Sequence, residues 1–75
     1  MVYHTHTGLR CRTVRHLTTR DGILPRDTFG TVRYEMENLD RRLISVDWDN
    51  GMNTLVFPQE IEIGVSHELT TLASA

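Results

Sequence analysis

From residue 28 onward the apolar side chains recur at every second position. Val32, Tyr34 and Met36 alternate with Thr31, Arg33, Glu35 and Glu37. Ile44, Val46 and Trp48 alternate with Ser45, Asp47 and Asp49, and Ile61, Ile63 and Val65 with Glu60, Glu62 and Gly64. A period of two puts one face of a strand inward and leaves the other wet. Each run is short, rich in β-branched and aromatic residues, and bounded by Gly, Asn, Asp or Pro. The pattern predicts strands over 31–37, 42–49 and 61–65, and no segment before residue 65 carries a helical stripe. Upstream, Leu9 and Cys11 share one face and Arg10 and Arg12 the other, which predicts a first strand over roughly 9–16, with Val14 marking a bulge or its end.

The connections follow from turn chemistry. Asn50-Gly51 predicts a two-residue type I′ turn, since Asn and Gly tolerate its positive φ values. That turn sets Trp48 opposite Asn53, Val46 opposite Leu55 and Ile44 opposite Phe57. One face then carries Ile44, Val46, Trp48, Leu55 and Phe57, and the other Ser45, Asp47, Asp49, Met52, Thr54 and Val56. Pro58 ends the strand, and Gln59-Glu60 predict a 3₁₀ corner. Glu37 to Arg41 reads as a turn, and TTRDGILPRDTF (18–29), with Gly22 and Pro25 and no alternation, as an extended loop. Gly30 marks a bend where backbone approaches backbone. Residues 1–8 are expected to be loose, residues 9–65 to form the domain, and residues 66–75 to be a disordered or briefly helical tail.

This arrangement is carried by GTVRYEMENLDRRLISVDWDNGMNTLVFPQEIEI (30–63). It resembles the G-x-V … V-x-W/F-x-x-G … V … E-I-x-I pattern of small bacterial SH3-like proteins, among them accessory chains of photosynthetic electron transport. The resemblance implies an all-β fold, a five-stranded SH3-like barrel. Such barrels serve as peptide-binding modules, nucleic-acid-binding modules and docking subunits, so the likeness implies a fold and not an activity.

Composition narrows the picture. At 75 residues the chain is a single small domain. A lone cysteine, Cys11, forms no internal disulfide and suits a reducing compartment. No apolar run approaches a membrane span, and MVYHTHTGLR lacks the apolar core of a secretory signal, so the cytoplasm is the expected location. Charge is unevenly placed along the chain. Residues 1–33 hold six arginines against Asp21 and Asp27, a balance of +4, whereas residues 34–75 hold Arg41 and Arg42 against eight acids, a balance of −6. In a compact β-domain such halves interleave, which predicts mutual compensation on the surface.

Candidate chemistry is sparse. His4 and His6 would point the same way on a strand, with Cys11 and His16 further along, but the spacing matches no closed zinc motif, and neither a metal nor another cofactor is expected. Cys11 lies between arginines, yet it shares the inward face with Leu9 and reads as a small core residue rather than a nucleophile. With no nucleophile elbow, phosphate loop or dinucleotide fingerprint, the chain is not expected to be an enzyme. The expected function is protein binding, as an accessory or docking subunit. Trp48, Tyr34, Phe29 and the 18–29 loop would make its contact surface, with Arg20 and Arg26 supplying charge. The alternative is a nucleic-acid-binding module that uses Arg10, Arg12, Arg15 and Arg20. Trp48 itself, placed opposite Asn53, is expected at the rim of the core.

Overall fold

The computed structural model describes residues 1–64, so the expected tail at 66–75 lies outside the described residues. The described chain is all-β. In order it forms β1 (Val2–Tyr3), β2 (Arg10–Thr13), β3 (Leu17–Thr19), β4 (Gly22–Leu24), β5 (Phe29–Asn38), β6 (Arg41–Trp48) and β7 (Asn53–Val56). A 3₁₀ turn at Pro58–Glu60 and β8 (Ile61–Ile63) follow. All pairings are antiparallel. The main sheet runs β7-β6-β5-β2-β8, with β1 beside the far half of β5, while β3 and β4 pair separately. Among the described residues β7 and β8 do not pair, so the sheet is open.

The long β5 organises the domain. Its first half pairs with β2 and its second with β1, while β6 runs along its other side. Residues 1–8, expected to be loose, therefore include a strand: Val2 and Tyr3 pair with Met36 and Glu35, and the Glu37 N–H donates to the Met1 carbonyl at 2.9 Å. The 18–29 segment, expected to be a loop, contains the β3–β4 hairpin. Its Gly22 has φ 144°, and the Thr19 hydroxyl donates to the Gly22 carbonyl at 2.7 Å. Leu17 and Leu24, paired across this hairpin, are both buried. Two-residue alternation is too short to show in a three-residue strand.

A bulge in β5 changes which face is inward. Val32 lies opposite Val46, but Tyr34 lies opposite Ser45, so Arg33 is the extra residue. Before the bulge Gly30 and Val32 are buried. After it Glu35 turns inward, where period two had placed Tyr34 and Met36. A buried carboxylate needs partners. His6 Nδ1 lies 2.5 Å and Arg42 Nε 3.8 Å from its oxygens.

The core gathers Cys11, Leu17, Leu24, Val32, Ile44, Val46, Trp48, Val56 and Ile61. Leu9, expected beside Cys11, is exposed. Gly30 is required where β5 passes Trp48. A Cβ there would stand 2.8 Å from Asp47 O, Trp48 Cε3 and Val46 Cγ1. Buried Thr13 pins the 25–28 turn, since its hydroxyl donates to Pro25 O at 2.8 Å and accepts from Thr28 N–H at 3.0 Å.

The turn at the end of β6 corrects the predicted register. Gly51 N–H donates to Trp48 O at 3.0 Å and Trp48 N–H to Met52 O at 2.8 Å, enclosing the three residues Asp49-Asn50-Gly51. Gly51 has φ 94°, whereas Asn50 is not among the positive-φ residues, so the loop is a type I turn closed by a left-handed glycine and not type I′. The extra loop residue shifts the pairing by one: Asp47 faces Asn53, Val46 faces Thr54 and Ile44 faces Val56. Ile44, Val46 and Trp48 keep their inward places. On β7, however, Val56 is the buried residue, while Leu55 and Phe57 turn outward.

Candidate functional site

That one-residue shift builds the site. Leu55 and Phe57, expected in the core, are 49% and 36% exposed. They line a groove of ≈ 470 Å³ between β7 and the β3–β4 hairpin. One wall runs from Asn53 to Phe57 and on to Glu60, and the other from Leu17 to Asp21. Apolar side chains exposed in a concavity are the usual mark of a binding surface.

Local bonds hold each wall in place. Beneath β7, Trp48 is only 3% exposed and its indole N–H donates to Thr54 Oγ1 at 2.8 Å. Trp48 is thus a core residue that supports a groove residue from below, and it offers no contact face of its own. Phe57 is anchored at both backbone groups: its N–H donates to Glu60 Oε1 at 2.8 Å and its carbonyl accepts from Glu60 N–H at 2.9 Å. Arg15 stands 3.6 Å from the other oxygen of Glu60. Arg20 and Asp21 form the hairpin tip and make no ion pair among the described residues.

Of the single residues expected to bind a partner the groove takes in Arg20, and of the 18–29 segment it also takes in Thr18, Thr19 and Asp21. Tyr34 lies on β5, half-buried, with the Arg33 guanidinium 5.9 Å above its ring centre. Phe29 opens β5 opposite Arg12, and Arg26 is exposed in the turn after β4. Leu55 and Phe57 were missed because the two-residue turn pointed them inward. The sequence signal that finds them is Asp49-Asn50-Gly51 taken together, with glycine in the third loop position.

The arginines named for nucleic acid are largely matched with acids from the second half of the chain. Arg10 grips Asp49 through two bonds of 2.9 and 2.6 Å, and Arg12 reaches Glu62 at 2.9 Å and Asp27 at 3.3 Å. The bond to Glu62 raises the Arg12 pKa. Tyr3 donates to Glu37, which raises the phenol's pKa. Burial pushes the Cys11 thiol up to about 11, against an ordinary 9.0, despite nearby Arg10. No reactive thiolate stands there near neutral pH. His6 is turned to Glu35 and His4 to Thr7, and no cluster of three or more His, Cys, Asp or Glu placed to hold a metal occurs among the described residues. Among the same residues no helix is long and apolar enough to cross a membrane.

Fold and groove define a small all-β domain with an open sheet and a lateral, partly apolar cleft. Comparison with protein-family models, curated proteins and solved structures finds no match for this chain.

Proposed function

We propose that the chain is a non-catalytic protein-interaction module, an accessory or docking subunit that receives a segment of another protein in the groove between β3 and β7. The observation that carries this reading is the outward placement of Leu55 and Phe57 on a walled cleft. Among the described residues nine buried apolar side chains build the core, and two more left in solvent on one cleft are surface available to a partner.

For the fold we infer an SH3-like barrel left open between β7 and β8. Three features support it: the order β7-β6-β5-β2-β8, the long excursion from β2 to β5, and the 3₁₀ turn before the last strand. Nucleic-acid binding is the weaker reading, because Arg10, Arg12 and Arg15 already face carboxylates. The cytoplasm is the location we assign, supported by the free, buried Cys11.

Affinity capture from native lysate, repeated at high salt and after nuclease treatment, tests the reading. The expected result is a protein recovered in both conditions and lost with Leu55→Lys or Phe57→Ser. Recovery that nuclease abolishes supports the nucleic-acid alternative. Capture unchanged in both groove variants but lost with Tyr34→Ser or Arg26→Ala moves the surface to those residues.

A further inference from the structure

We infer that the groove takes its occupant as an added β-strand: an extended peptide of about four residues that pairs with the free edge of β7. It seats an apolar side chain against Leu55 and Phe57 and sets a carboxylate on Arg20. The inference rests on the docking reading above and specifies the occupant and the mode.

The ladder supplies the first argument. The Trp48 N–H donates to the Met52 carbonyl, which fixes the phase of the β6–β7 alternation. Thr54 and Val56 therefore turn their N–H and C=O groups toward β6, and Asn53 and Leu55 turn theirs to the open edge. Among the described residues β7 pairs only with β6. The edge stops at Phe57, whose N–H and C=O are both taken by Glu60. What remains is a short template, roughly 13 Å long at about 3.3 Å per residue, with two donors and two acceptors spaced as an incoming strand requires.

The second argument is the opposite wall. The β3–β4 hairpin lines the far side of the cleft through Leu17 and Thr18, and its Gly22 stands near Met52, which would lie 3.7 Å from a Cβ on that glycine. A second folded copy paired with β7 would have to carry its own neighbouring strand toward this hairpin, whereas a single extended chain would not.

The third argument separates an added strand from a polyproline helix. Grooves for polyproline helices are lined by several aromatic rings. This cleft has one, Phe57, since Trp48 lies in the core.

Charge completes the description. The Glu60 carboxylate already accepts the Phe57 N–H and faces Arg15. Arg20, at the other end, has no acidic partner among the described residues, and a guanidinium fork matches a carboxylate through two parallel bonds. Asp21 shares the tip but as a carboxylate offers no donor, so at this tip only the Arg20 guanidinium can hold a carboxylate.

The test is fluorescence anisotropy on the full chain with a labelled hexapeptide of alternating valine and threonine ending in glutamate. Saturable binding is expected. N-methylation at alternate residues, which removes the ladder donors, should weaken it at least tenfold, and a lysine in place of the glutamate about threefold or more. The lysine effect should vanish in Arg20→Ala, which removes an exposed side chain. Equal binding of the N-methylated or of a proline-rich peptide, or no binding by any of them, overturns strand addition. So does a dimer in sedimentation that the hexapeptide fails to dissociate, since it assigns the edge to a second copy. Binding that Leu55→Lys removes but N-methylation spares refutes strand addition alone and leaves the docking reading intact. Lysate capture that survives both groove variants refutes that reading as well.

Discussion

Strand β6 is turned at both ends, and the two turns are built on opposite principles. At the Leu39-Asp40 end the loop has two residues, both with positive φ (51° and 64°), closed by the pair Asn38–Arg41. Among the described residues nothing packs over it, and Leu39 is 88% exposed. At the Asp49-Gly51 end only glycine has positive φ, and the turn is held from several sides. Arg10 clamps Asp49, Asp49 N–H donates to Phe29 O at 2.9 Å, and Trp48 lies buried behind it against Gly30. One turn is held by its own backbone and the other by tertiary contacts. The supported end therefore fixes the register of β7 and, with it, the groove, so changes there should cost more than changes at the free end.

The largest effect is expected from Gly30→Ala. The added methyl would meet a backbone carbonyl, a buried indole and a buried valine, each at 2.8 Å, and the carbonyl cannot move without breaking the ladder. Overpacking of this kind costs about 3 kcal/mol, read as a lower denaturation midpoint. An unchanged midpoint would show that the supported end yields easily, and the contrast between the ends would collapse.

Next comes alkaline pH acting on Cys11, which pairs with Gly30 across β2 and β5. Its folded pKa is raised by burial from 9.0 to about 11. The folded state thus keeps a proton that the unfolded chain releases. The contribution is fully present below pH 9 and is lost as pH rises toward 11, by about 2 kcal/mol at the upper limit. Comparing the alkaline stability slope of the native chain with that of Cys11→Ala isolates it. Identical slopes would mean that the thiol is not buried at the supported end.

Thr54→Val tests the link between that end and the groove. The substitution keeps the shape and removes the acceptor of the Trp48 indole N–H, leaving a buried donor unpaired at a cost of about 1–2 kcal/mol. Trp48 fluorescence should change with it, and Thr54→Ser should restore both.

Much of this was legible in the residue pattern. The strands predicted over 31–37, 42–49 and 61–65, the last seen as Ile61–Ile63, the 3₁₀ corner and the inward places of Cys11, Val46 and Trp48 follow from alternation and turn chemistry, because each depends on neighbours along one strand. The expected interleaving of the two charged halves also appears, in Arg10–Asp49 and Arg12–Glu62. What was not legible depends on single-residue offsets. Asn50-Gly51 fits a two-residue and a three-residue loop alike, and only the second turns Leu55 and Phe57 outward. The bulge at Arg33 has no local signature, since a polar residue between two apolar ones is also what an unbroken strand shows. Glu35 consequently read as a solvent residue, although its partners, His6 and Arg42, come from distant parts of the chain.

The smallest expected effect has the opposite sign and belongs to the free end. Leu39 adopts φ 51° with its side chain exposed, and a left-handed backbone disfavours a side chain of that kind by about 1 kcal/mol. Asparagine is the residue that type I′ turns prefer at this position. Leu39→Asn should therefore stabilise the domain by up to about 1 kcal/mol while removing an exposed apolar side chain. The matched change at the other turn, Gly51→Ala, has open space around the new methyl but a φ of 94°, so it should destabilise by a similar amount. Equilibrium denaturation of the two variants side by side measures the asymmetry directly. A gain at Leu39 and a loss at Gly51 would place backbone strain at the unsupported turn. A loss at both would mean that Leu39 makes a contact that keeps it there, and the two ends of β6 would then be held in the same way.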